Sequence, residues 1–125
     1  MNKKQTKEFE DWVNKELAVI QDLLLLQAHK LMPVKPSKDN TKCIYRYPYK
    51  EIFIEYSQSF MNDWFEGERD YLRQVLIHEM YHAVTDAFYS KAVSRYIAQP
   101  DLEDEREALV EHLSNITYNL LTNRK

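Results

Sequence analysis

Cysteine and glycine are nearly missing from this chain, which holds one of each in 125 residues. The lone Cys43 excludes an internal disulfide and any cysteine-built zinc ribbon or finger, so no such staple supports the fold. Long apolar runs are absent too. The richest, Leu17 to Leu26, is interrupted by Gln21 and Asp22, and the polar, charged stretch Met1 to Asp11 is unlike a signal peptide. A cytoplasmic protein without membrane partners is expected. Excess positive charge is also missing: the net charge is -3, and Lys3, Lys4 and Lys7 form the one short basic cluster, read as a solvated helix start. That balance excludes a dedicated nucleic-acid surface. Repeats and low-complexity segments are likewise absent.

With 44% hydrophobic residues, a chain of this length supports one core, and residues 1–125 are read as a single domain. From Thr6 to about Leu31, Phe9, Trp12, Val13, Leu17, Ile20, Leu24 and Leu31 recur at helical spacing, and Pro33 and Pro36 are expected to stop that helix. Met32 to Lys42 reads as a connecting loop. Cys43 to Tyr47 and Ile52 to Tyr56 alternate as strands around a Pro48-Tyr49-Lys50-Glu51 turn, which predicts a small antiparallel sheet. Ser57 to Glu68 reads as a transition. A long helix follows from near Glu68 to at least Phe88; Tyr89 to Gln99 either continues it or covers it, and a last helix runs from about Asp101 to Leu121.

The long helix carries His78-Glu79-Met80-Tyr81-His82. Histidines four residues apart stack on one helix face, where both can reach one zinc ion, and the intervening Glu79 is placed to act on a water the metal would hold. No Gly or Pro occurs from Glu68 to Gln99, and Leu72, Val75, Leu76 and Ile77 continue the core period into the motif. Two buried imidazoles beside a buried Glu would be costly to desolvate without a ligand.

A catalytic zinc takes three protein ligands and keeps a position for water. The third must lie elsewhere, because the residues after His82 lack the glycine and third histidine of the extended motif. His29, His112 and the acids between Asp101 and Glu111 are the candidates, and a Glu on the last helix is favoured. Leu102, Leu109, Leu113, Ile116 and Leu120 form an apolar stripe expected to pack on the core, with Glu105 at its flank. Glu107 and Glu111 lie on another side, four residues apart, so that one could bind metal while the other orients a ligand. Tyr81, Tyr89, Tyr96, Tyr118 and His112 are candidate oxyanion donors, none of them assigned.

Leu76 to Ala83, together with Glu105-Arg106-Glu107-Ala108, resembles the ImmA/IrrE-type metallopeptidases and related small phage and prophage metallopeptidases. The resemblance covers two helices. It implies an α+β, minimal zincin-like domain with an amino-terminal helix, a small antiparallel sheet, the motif helix, and a carboxy-terminal helix carrying the third ligand. It also implies Zn2+ held by His78, His82 and Glu107, with Glu111 as the alternative, and Glu79 as the base that activates water to cleave a protein or peptide substrate. The motif is also similar to SprT-like proteases acting near DNA, but their downstream Gly-His segment and zinc ribbon are missing here. A different class, a mobile-element interaction protein in which the site is a relic, is the rival reading.

Overall fold

A computed structural model describes residues 2–46, 49–95 and 99–122, and the side chains of these outside positions 87–102. The fold is α+β. Helix α1 (Lys3–Leu23) starts on a capping box in which Asn2 accepts from the Gln5 backbone at 2.8 Å while Gln5 accepts from the Asn2 backbone. Its apolar period buries Phe9, Val13, Leu17 and Ile20.

The helix ends well before the prolines, correcting the expected run to Leu31. Leu25 adopts a left-handed conformation (φ 58°), and the Leu25 and Leu26 amides donate to the Asp22 and Gln21 carbonyls, a Schellman closure. Gln21 Nε2 then donates to the Leu26 and His29 carbonyls and turns the chain toward the sheet. Periodicity could not reveal this, because leucines continue through the break.

The expected loop contributes two short strands, β1 (Lys30–Leu31) and β2 (Lys35–Pro36); β3 (Lys42–Arg46) and β4 (Glu51–Tyr56) follow. β3 pairs antiparallel with β4, as the alternating runs suggested, but β1 and β2 both pair parallel with β4. The expectation of a purely antiparallel sheet is therefore corrected. β3 occupies one edge of β4, so β1 and β2 share the other, with a one-residue slip in register between them. Pro33 interrupts the ladder there, and the Val34 amide instead donates to Asn14 Oδ1 of α1 at 3.0 Å. On β4, Ile52, Ile54 and Tyr56 face the core. Pro48, in the expected turn, lies outside the described residues.

The expected transition is a helix, α2 (Gln58–Phe65), capped by Ser57 Oγ accepting from the Phe60 amide at 3.1 Å. It buries Phe60 and Met61 and ends at Gly67, whose φ of 88° suits glycine. The motif helix, α3 (Arg69–Arg95), is longer than the minimum expected and buries Leu72, Leu76, Ile77, Met80 and Ala83. Arg69 lies over the rings of Trp64 (4.1 Å) and Trp12 (5.6 Å), tying α2 and α1 to the start of α3. Among the described residues, no helix is long and apolar enough to cross a membrane.

Helix α4 (Gln99–Thr122) docks on α3, but not through its leucine stripe. Leu109, Ile116 and Leu120 are 49%, 45% and 64% exposed, whereas Val110, Ser114 and Thr117 are buried. The Leu102 side chain lies outside those described. Polar pairs select the inward face: Tyr81 Oη and Thr117 Oγ1 lie 2.5 Å apart, and Gln74 Nε2 donates to Asn115 Oδ1 at 3.4 Å. Hydrophobic period alone pointed to the wrong side.

Leu25 is 80% exposed, so its left-handed backbone carries strain with little packing in return. Leu25→Gly should raise unfolding stability by about 0.5–1 kcal/mol in denaturant titrations. A loss of stability would mean that the leucine side chain, not the turn, fixes this corner.

Candidate metal centre

Two elements converge on the motif histidines. His78 and His82 stack one turn apart on α3, with ring centroids 5.2 Å apart, and α4 brings Glu107 and Glu111 across from them. Glu107 Oε2 lies 3.5 Å from His78 Nε2, and its Oε1 lies 3.2 Å from His82 Nε2. Ligands held about 2.0–2.1 Å from a tetrahedral ion are separated by about 3.3–3.4 Å. One donor atom from each of His78, His82 and Glu107 can be chosen with all three within 4.8 Å of one another, a set compatible with a metal ion.

A second carboxylate sharpens the case. Glu111 Oε2 sits 2.9 Å from His78 Nδ1, so that each ring nitrogen of His78 faces a carboxylate. A neutral imidazole has one N–H and cannot donate to both. Two carboxylates flanking one ring are an arrangement that a cation shared among them makes favourable. Burial lowers the pKa of His82, with His78 and Arg106 acting in the same sense and Glu107 opposing them. A neutral imidazole is the form that binds metal.

Glu79 lies beside these donors without joining them. Burial pushes its carboxyl up to about 7, helped by the Glu107 and Asp86 charges and opposed by His78 and by a hydrogen bond from the Cys43 backbone. A carboxylate near neutrality is suited to taking and returning a proton. The Cys43 N–H that reaches Glu79 places β3 beside the motif helix. Burial, with Asp86 and Glu79 nearby, pushes the Cys43 thiol well above its usual range, which holds it protonated rather than as a thiolate ligand.

Two clefts meet at His78 and Glu79. One, of about 360 Å³, runs past Thr41, Lys42, Cys43, Asp86, Arg106 and Glu107; the other, of about 310 Å³, is bounded by Tyr71, Gln74, Val75, Glu111 and Ser114. A molecule lying across the histidines would reach both.

The sequence-derived residues divide clearly. His78, Glu79, His82, Glu107 and Glu111 come together; Glu105 and His112 are exposed outside this cluster, and His29 packs against Tyr45 across the sheet (ring centroids 5.6 Å apart). Tyr81 is bonded to Thr117, and Tyr118 packs against the core. Tyr96 and the Tyr89 side chain lie outside the described residues. Sequence reasoning missed the Cys43 backbone contact, which leaves no residue-type signal, and the cleft residues Asp86 and Arg106. The position of Asp86 four residues after His82 was the available clue. The chain matches no known family model, no curated protein and no solved structure, so the reading of this site rests on its own geometry.

His82→Ala should abolish stoichiometric zinc binding, and Glu107→Ala should weaken it by far more than Glu105→Ala, measured by competition with a chromophoric chelator. Glu111→Ala should lose about 10–100-fold in affinity, as expected for a group that orients a ligand. Equal losses at Glu105 and Glu107 would contradict the geometry.

Proposed function

We propose that this chain is a zinc-dependent peptidase acting inside a cell, with zinc held by His78, His82 and Glu107 and with Glu79 as the base. The observation that carries the proposal is the convergence of two imidazole nitrogens and one carboxylate, with a second carboxylate beside them that stays outside the donor set. Nitrogen and oxygen donors in this number suit zinc in an open site, whereas structural zinc sites are closed by four protein ligands.

When bound, the metal would supply Lewis acidity, making a water nucleophilic near neutral pH and polarising a carbonyl. Glu79 takes the proton of the attacking water and passes it to the leaving amine, which asks of it a carboxylate that exchanges protons near pH 7. Glu111, 2.9 Å from His78 Nδ1, would orient the His78 ring toward the metal. The Cys43 N–H orients Glu79 at the border of β3, and an extended peptide lying across the clefts would run past that strand.

Other substrate classes are less well served. The cleft's cations, Lys42 and Arg106, are paired with Asp39 and Asp86, which disfavours a phosphodiester and hence a SprT-like role near DNA. A relic that only staples α4 to α3 draws support from the polar character of that interface. The open cleft and the base at its junction favour the enzyme.

Glu79→Gln should keep the fold and about one zinc per chain while lowering turnover of a quenched-fluorescence peptide library at least about 100-fold. Loss of zinc in this variant would make Glu79 a ligand, and wild-type turnover by it would refute the mechanism.

A further inference from the structure

Glu107 poses a mechanical problem that the site residues do not solve. Its side chain is 52% exposed and sits on a helix whose buried face is narrow, yet it must hold both oxygens within reach of two imidazoles. A long, half-exposed carboxylate has many rotamers, and metal-binding carboxylates are ordinarily fixed by further hydrogen-bonding groups.

The neighbouring ion pair supplies such a restraint. Asp86 follows His82 by four residues on α3, and Arg106 immediately precedes Glu107 on α4. Arg106 Nη1 donates to Asp86 Oδ1 at 3.2 Å, with the two side chains only 23% and 19% exposed. The other nitrogen, Nη2, lies 4.0 Å from Glu107 Oε1, the oxygen that faces His82. Both residues line the same cleft as the histidines. A planar guanidinium anchored on one side by Asp86 presents its remaining edge toward Glu107 in a fixed direction, which a flexible ammonium would not do.

We infer that Asp86 and Arg106 form a positioning clamp that sets α4 against the motif helix so that Glu107 meets His78 and His82. The inference rests on the metal-centre reading above. Neither residue donates to the metal in this arrangement. The clamp has a second effect, since pairing Asp86 with Arg106 keeps a carboxylate one turn beyond His82 from competing as a ligand, and the site stays three-coordinate from the protein. Because Arg106 and Glu107 are adjacent in sequence, a rotation of α4 that freed one would carry the other away as well.

The test uses the full chain loaded with Co2+, whose visible bands report coordination geometry, together with zinc affinity by chelator competition. Arg106→Ala and Asp86→Asn should each weaken zinc binding at least about tenfold and change the intensity and position of the cobalt bands. Arg106→Lys, which restores charge without the planar fork, should recover affinity only in part. The Asp86→Ala/Arg106→Ala protein removes the half-buried pair together, avoiding an unpaired charge, and should be about as weak as the single variants rather than the product of their losses. Variants that lose thermal stability but keep wild-type zinc affinity and cobalt spectrum would reduce the pair to a structural ion pair and overturn the clamp alone. A wild-type chain that binds neither metal would instead overturn the metal centre, and the clamp with it.

Discussion

His78 sits between two carboxylates, with Glu111 2.9 Å from one ring nitrogen and Glu107 3.5 Å from the other. A neutral imidazole has a single N–H and cannot donate to both, so a positive charge on or among these groups is what makes the arrangement favourable. The rest of the site follows from this constraint. His82 shares the Glu107 carboxylate and is biased toward neutrality by burial, so a cation common to all three donors resolves both contacts at once. Glu111 then has a defined task, and Glu79 remains free of the donor set.

Folding energetics explain why the site lies where two elements meet. The apolar core is built by α1, β4, α2 and one face of α3, with Phe9, Leu17, Ile52, Ile54, Leu72, Leu76 and Met80 essentially sealed from solvent. Burial on this scale supplies the main driving force for the fold, at about 25 cal/mol per Å² of apolar surface. The opposite face of α3 presents His78, His82 and Asp86, and α4 covers it mainly through polar contacts around Val110. Hydrogen bonds and ion pairs of this kind contribute little net stability but set register closely. The core thus holds α3 rigid, while the polar seam determines where α4 places its carboxylates.

Much of this was legible in the chain because local chemistry and tertiary use agreed. The two histidines at helical spacing, the β3 and β4 alternation and the apolar period of α1 each served one purpose. Elements were missed where two signals competed. Leu24, Leu25 and Leu26 look like a continuing helix, but a left-handed residue stops it, with nothing in residue type to reveal it. Strands β1 and β2 have two residues each, with Pro33 between them and Pro36 in β2, so their pairing with β4 depends on tertiary contacts. The leucine stripe of α4 is a misleading guide to docking, and it runs beside Glu105, which is exposed. Glu107 came instead from a resemblance, and the geometry places it with the histidines while leaving Glu105 exposed.

We propose this cluster as a metal site made of two imidazoles and a carboxylate. Zinc K-edge X-ray absorption on the purified, zinc-loaded chain addresses it directly. About one zinc per chain is expected in a shell of nitrogen and oxygen at about 2.0–2.1 Å, with outer scattering from two imidazole rings. A sulfur scatterer at about 2.3 Å would bring Cys43 into the site, and a shell without imidazole would remove the histidines from it. Either result would refute a site built from His78, His82 and Glu107.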